Sequence, residues 1–351
     1  MEMTTLGRTG MQVTRLCFGA MTLGRWGNTD EGECIRMVHR ALDGGINFID
    51  TADVYGAGDS ETILGKALAG RRDEVILATK VNHQFGEGPN HSGNSRRWIA
   101  RQIDGSLRRL KTDWIDLYQL HRPDPSTDIS ESLGALTDLV RAGKVRSIGT
   151  STFPAHEIVE AHWAADRRAL ERPACEQAPY SLLVRGIEGD VLPVTQRYGM
   201  GAIIWSPLCA GWLTGLYRRG RELPPSQRGV LVPGRFDLSL PGNQAKFDAV
   251  EQLALLAEEV GLTLPQLALG FILEHPGVTS AIIGPRTMEQ LETYLASGDA
   301  HLDAATLDRI DEIVPPGTTF TEADVAWRNP ALTDSALRRG RVAPPPRATL
   351  G

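Results

Sequence analysis

The chain has little of what would take it out of the ordinary globular class. Only four of its 351 residues are cysteines (Cys17, Cys34, Cys175 and Cys209). None is spaced C-x-x-C, so neither a zinc cage nor a disulfide framework is expected, and no metal site is assigned. No run approaches the roughly 18 apolar residues of a membrane span. The opening segment "MEMTTLGRTGMQV" lacks the apolar core of a signal peptide. A reducing cytoplasm is therefore the expected compartment. Basic residues are outnumbered, 37 Lys and Arg against 43 Asp and Glu, for a net charge of −6. With no basic stripe interleaved with aromatics, a nucleic-acid surface is not expected. What remains is a chain 41% apolar and 23% charged, the composition of a soluble globular protein. Its length suits one large domain or two ordinary ones.

Short apolar runs alternate with helical patterns almost from end to end. The strand candidates are "RLCFG", "INFID", "VILATK", "IDLYQLH", "VRSIGTS", "PACEQ", "AIIWS" and "SAIIG", each compact enough to be a strand covered on both faces. Between them, "SRRWIARQIDGSLRRL" places Ile99, Ile103, Leu107 and Leu110 on one helix face. "DISESLGALTDLVRAGKV" opens with Asp128 and Glu131 in capping-box spacing and reaches Gly143 as a C-terminal stop. Pro154 stands where the next helix begins. Repeated β-α order implies parallel strands with helical crossovers, and a count of eight favours a closed (β/α)8 TIM barrel. An open doubly wound sheet is the alternative. It loses ground because no G-x-G-x-x-G follows the early strands and no G-x-x-x-x-G-K-[ST] loop occurs. A long Gly/Pro/Arg-rich connection, Leu208 to about Asn243, follows the seventh strand and is a candidate clamp. The barrel is expected over residues 1–315, and residues 316–351 form a Pro- and Arg-rich extension expected to wrap it and then fray.

In a parallel barrel the loops at the C-terminal strand ends form the active face. There the second strand ends on Asp50, the third on Lys80, the fourth on His121, the fifth on Ser151 and the sixth on Gln177. The seventh ends on Trp205-Ser206 and the eighth on Gly284. Each has an ordinary structural explanation by itself; convergence on one rim favours function. A tyrosine's pKa of about 10 makes it a poor acid near neutrality unless its phenolate is stabilised. Lys80 is the candidate cation for Tyr55, which lies five residues beyond Asp50, and Asp50 is the candidate counter-charge for Lys80. His121 can bond a substrate oxygen. Such a set protonates an oxygen as charge develops on it, which is carbonyl reduction when a hydride donor is present.

From about Thr5 to Ala300 the chain resembles the aldo-keto reductase superfamily, in the branch of bacterial reductases and voltage-gated potassium-channel β subunits. The motifs that carry the resemblance are "LGRTGMQVTRLCFG", "FIDTADVYG", "ATK", "LHRPDP", "GTSTF", "QAPYSLL", "WSPL" and "IIGPRTMEQL". It implies a barrel preceded by a β-hairpin, a nicotinamide cofactor without a Rossmann fold, and reduction of an aldehyde or ketone. Position by position, it implies Tyr55 as general acid, Lys80 and Asp50 as its tuning pair, and His121 as the residue that orients the carbonyl. It also implies cofactor contacts from Ser151, Gln177, Trp205, Ser206, Pro207, Leu208, Gly211, Gly284, Arg286 and Gln290. Trp26, Asn82 and Trp327 are expected to wall the substrate pocket.

Three positions depart from the family pattern: Thr152 for an asparagine, Leu216 for a clamp lysine, and Tyr294 for an asparagine near the adenine. The last two weaken the case for NADPH over NADH, while Arg286 and Arg228 as phosphate partners keep NADP ahead. Two other function classes stay open. One is a cofactor-binding, redox-sensing regulatory subunit with little turnover, against which His121 argues. The other is a metal-dependent barrel hydrolase using Asp50, Asp53, His83 and His121, whose ligands would have to converge. A homo-oligomer is compatible with the sequence.

Overall fold

A computed structural model describes residues 1–222, 232–298, 300–325 and 327–339. Among the described residues ten strands form two sheets. The antiparallel hairpin of β1 (Met3–Thr5) and β2 (Gln12–Thr14) precedes eight parallel strands: β3 (Leu16–Gly19), β4 (Phe48–Asp50), β5 (Ile76–Val81), β6 (Ile115–Leu120), β7 (Val145–Ser151), β8 (Cys175–Pro179), β9 (Gly201–Trp205) and β10 (Ser280–Ile283). These eight follow one another in sequence order around a ring, and β10 pairs back onto β3, closing a barrel. The (β/α)8 TIM barrel is thus the fold, and the open sheet is not.

Helices cover the outside: α1 (Glu31–Asp43), α2 (Asp59–Ala67), α3 (Arg96–Leu110), α4 (Ile129–Arg141), α5 (Ala155–Arg168), α6 (Val191–Tyr198), α7 (Pro241–Glu259), α8 (Leu264–Glu274), α9 (Met288–Ser297), α10 (Ala304–Ile313) and the short α11 (Pro330–Thr333). In α3, Ser95 caps the start by accepting from the Trp98 N–H, and Ile99, Ile103 and Leu110 face the core. α4 differs from the expected capping box. Asp128 caps it by accepting from the Ser130 N–H, and Glu131 turns outward to pair with Arg96. Gly143 takes a left-handed φ of 72° just past that helix, as its position suggested. Pro154 is the N-cap of α5, not its first turn. The connection after β9 holds the 3-10 segments Cys209–Thr214 and Pro233–Arg235 and gives way to helix at Pro241. α7 and α8 both precede β10, so that repeat carries an extra helix.

Side chains alternate across a strand, and this period places apolar and polar residues in successive layers inside the barrel. Phe48 and Asp50, Ala78 and Lys80, Leu117 and Gln119, and Cys175 and Gln177 are two apart on four strands. The first of each pair belongs to a buried apolar cluster that also contains Leu6, Val13, Cys17 and Ile203. The second stands one layer nearer the C-terminal mouth. Leu6 and Val13 come from the N-terminal hairpin, which therefore closes the opposite end. The turn between its strands needs Gly7: φ is 52°, and a Cβ would lie 2.6 Å from Ala174 O and 2.8 Å from Gly201 N.

Candidate active site

β4 ends on Asp50, and a tight reversal follows. Tyr55–Gly58 forms a 3-10 turn in which Gly56, Ala57 and Gly58 have φ of 58°, 54° and 93°. Three successive left-handed residues turn the chain sharply and send the Tyr55 side chain back over the mouth. There it meets Lys80, which is fully buried at the end of β5. The ammonium has three protons to place, and three acceptors receive them: Asp50 Oδ1 at 2.5 Å, Thr51 O at 2.7 Å and Tyr55 OH at 3.2 Å. Burial alone would lower the pKa of Lys80, but Asp50 and Tyr55 outweigh it and the net shift is upward. The amine stays charged across the physiological range. The second oxygen of Asp50 accepts from Gln177 Nε2 at 2.9 Å and Gln119 Nε2 at 3.3 Å, so the carboxylate is bonded on both sides.

His121, 4% exposed just past β6, presents its ring edge to Tyr55 with centroids 5.7 Å apart. His83 packs against the same imidazole at 4.5 Å. Both rings are held neutral. Burial, then Arg122 and Lys80, depress His83 to about 4; burial, then Lys80, Arg122 and His83, push His121 well below its ordinary value. Trp26 tilts over Tyr55 from outside, ring to ring 5.9 Å, and is 46% exposed. Asn82 is tied into the loop, its amide donating to Asn94 Oδ1 and to Arg122 O. Trp327 is half-buried in the tail, its backbone N–H donating to Val325 O. Among the described residues its ring does not pack on Tyr55 or Trp26.

The remaining rim lies on β7, β8, β9 and β10. Ser151 is buried, its hydroxyl donating to Gln177 O. Trp205 is half-exposed with a sealed indole N–H that has no partner. Beyond it the backbone coils tightly: Ser206, Cys209, Ala210 and Gly211 have φ of 59°, 45°, 58° and 113°. Ser206 Oγ accepts from Ala210 N at 2.8 Å, and Pro207 and Leu208 are buried. Non-glycine residues rarely sit at positive φ, and runs of such residues present N–H groups to a concavity that suits anions. A Cβ on Gly211 would meet nothing within 4 Å, and one on Gly284 only Gly19 O at 3.9 Å, so both border open space. Gln290 Oε1 receives the Arg286 N–H at 2.9 Å, and Asn28 Nδ2 donates to Arg286 O, which fixes the loop while the Arg286 side chain stays exposed. Arg228 lies outside the described residues.

The sequence model of the aldo/keto reductase family matches residues 15–315. The chain is 40% identical over 339 residues to "Uncharacterized oxidoreductase YrpG" of Bacillus subtilis, covering 93% of this chain and all of that one. It is 35% identical over 325 residues to "Probable voltage-gated potassium channel subunit beta" of Arabidopsis thaliana, 90% and 97% of the two chains. Against "Aldo-keto reductase YhdN" of Bacillus subtilis it is 36% identical over 297 residues, 83% and 87% of the two chains. The chain belongs to the aldo/keto reductase family.

Three residues of this aldo/keto reductase escaped the sequence reading of the mouth. Gln119 is inside the barrel, bonded to Asp50 and Gln177. Its place on the same face of β6 as Leu117, one pleat short of His121, was the available signal. Arg122 stands at the junction of the β6 and β7 ends, donating to His121 O and Thr152 Oγ1. His83 is marked by the sequence only as a possible metal ligand, and it packs instead on the His121 ring. Among the described residues no group of three or more His, Cys, Asp or Glu is placed to hold a metal. Asp50 is committed to Lys80, and Asp53 is buried beside Glu61 with neither carboxylate oxygen bonded. No single helix among the described residues is long and apolar enough to cross a membrane.

Proposed function

We propose that this aldo/keto reductase is an NADP(H)-dependent oxidoreductase that reduces an aldehyde or ketone to an alcohol. The observation that carries the reading is the fully buried Lys80 amine bonded at once to Asp50 and to the Tyr55 hydroxyl. When bound, the cofactor supplies the hydride. Tyr55 gives its phenolic proton to the carbonyl oxygen as charge builds there, and the Lys80 ammonium stabilises the phenolate left behind. Asp50, held by two glutamine amides, keeps Lys80 charged and pointed at the phenol. His121, neutral, orients the carbonyl by a hydrogen bond from its ring.

The residues around the mouth fit a nicotinamide nucleotide. Trp205 offers a half-exposed ring face. Gln177 spends its amide N–H groups on Asp50 and Gln119, leaving its carbonyl oxygen to accept from a carboxamide, with Ser151 beside it. Ser206 and Gly211 are two of the positive-φ residues of the coil suited to a pyrophosphate, with Pro207 and Leu208 between them. Gly284 and Gln290 shape the loop that presents Arg286 to a 2′-phosphate. Trp26, Asn82 and Trp327 are assigned to the substrate side.

Tyr55→Phe tests the assignment: carbonyl reduction should fall by at least about a hundredfold, while NADPH titration by tryptophan fluorescence stays near the wild-type value. Retention of most turnover would remove Tyr55 as the acid. The potassium-channel name of the Arabidopsis relative favours a second reading, a redox-sensing regulatory subunit that binds NAD(P)H with little turnover. Loss of nicotinamide absorbance with generic aldehydes in the same assay separates the two.

A further inference from the structure

Arg122 is a half-buried cation at the mouth with no carboxylate partner among the described residues. One nitrogen, Nη1, is occupied by His121 O at 2.6 Å and Thr152 Oγ1 at 3.1 Å. That pins the guanidinium between β6 and β7 with its carbon 6.0 Å from the centre of the Trp205 ring. The Nε and Nη2 edge has no hydrogen bond to any described residue, and neither atom is among the sealed, unpartnered ones. Acids nearby do not offset the charge. Asp50 is taken by Lys80. Glu176, on the opposite face of β8 from Gln177, uses its oxygens for Phe153 N at 3.1 Å and Thr150 Oγ1 at 2.6 Å. Burial pushes the Glu176 carboxyl up to about 8, so it is neutral at pH 7. Arg235, from the clamp segment, is a second cation in the Arg122 surroundings, but it has its own partners, Ala323 O at 2.7 Å and the Asp324 carboxylate at 3.6 Å from Nε.

Buried charges in proteins are ordinarily paired, and the open Nε/Nη2 edge of a guanidinium matches the two oxygens of a carboxylate. Its neighbours are the reacting groups themselves, since His121 lies directly before it and Tyr55 is packed on that imidazole. We propose that Arg122 binds the carboxylate of an oxo-acid substrate, so that the preferred carbonyl compound carries an anionic group. This rests on the reductase reading above and narrows it to a substrate class.

The test compares 4-carboxybenzaldehyde with its uncharged methyl ester under NADPH, in wild type, Arg122→Gln and Arg122→Lys. Wild type should prefer the acid by about tenfold or more in kcat/KM, the size of a charged hydrogen-bonded pair. Arg122→Gln should bring the ratio near one through a raised KM for the acid, and Arg122→Lys should fall between. Calorimetric titration with benzoate gives a reading without turnover: binding in wild type, lost in Arg122→Gln. Turnover of both aldehydes without preference, or a preference surviving Arg122→Gln, overturns the inference and leaves the reductase reading intact. Arg122-dependent benzoate binding without turnover of either aldehyde supports the anion site and overturns the reductase reading. Weakened NADPH binding in Arg122→Gln with an unchanged substrate ratio assigns the arginine to the cofactor and also overturns the inference.

Discussion

A lysine enclosed on every side is tolerated only if each of its protons has an acceptor, and Lys80 meets that condition with one carboxylate, one carbonyl and one phenol. Removing the cation alone leaves Asp50 buried and charged. Lys80→Met should therefore cost about 3–5 kcal/mol in urea denaturation, and reductase activity should vanish with it. Adding Asp50→Asn to that variant should restore most of the stability and none of the activity. A single variant as stable as wild type would mean that the buried carboxyl does not depend on its Lys80 partner. Arg286, at the other end of the rim, is exposed and belongs to no such network. Arg286→Ala should weaken NADPH by about tenfold and leave NADH nearly unchanged; equal loss of both would rule out contact with the 2′-phosphate.

At the scale of elements, the two faces of one strand do different work. β8 sends Gln177 inward to Asp50 and Glu176 outward into a fully buried site between Thr150 and Phe153. The folded protein holds the Glu176 proton up to about pH 8, whereas an unfolded chain releases it near the ordinary value of 4.5. Between those values the native state binds more protons, so this residue's contribution to stability is complete below pH 4.5 and declines as pH rises to 8. Glu176→Gln should flatten that decline in thermal melts between pH 5 and 8; an unchanged slope would mean that the carboxyl is already ionised. The same strands show how much was legible beforehand. All eight barrel strands could be read, and so could the polar residues at or near the ends of β4 to β9, because compact apolar runs stop abruptly at the mouth; β8 runs two residues past the expected end at Gln177, to Pro179. Gln119 was easily passed over: "IDLYQL" reads as an apolar strand, the strand's alternation puts the amide on the inner face, and the closed ring sets it beside Asp50. Arg122 looked like an ordinary loop cation, since nothing local reveals that its neighbours lack free acids. The capping pattern at Asp128 misled because Glu131 had a stronger partner, Arg96, on the adjacent helix.

Taken whole, the molecule separates its two ends. The hairpin closes one with Leu6 and Val13, and Tyr55, Lys80 and His121 are gathered at the other. Gly7→Ala should consequently lower the melting temperature while leaving turnover at low temperature close to wild type, because the added methyl strikes the backbone of Ala174 and Gly201, far from Tyr55. Loss of activity in a still-folded variant would show that the plug and the mouth are coupled.

The ring is shut by pairing Ala281 with Leu16 and Ile283 with Phe18. During synthesis the first barrel strand leaves the ribosome long before its final neighbour exists. Until Ile283 has emerged, the nascent sheet has two bare edges, the kind that recruit other chains. A message truncated before that codon should yield aggregates instead of a smaller enzyme, and chaperone demand should peak late in translation.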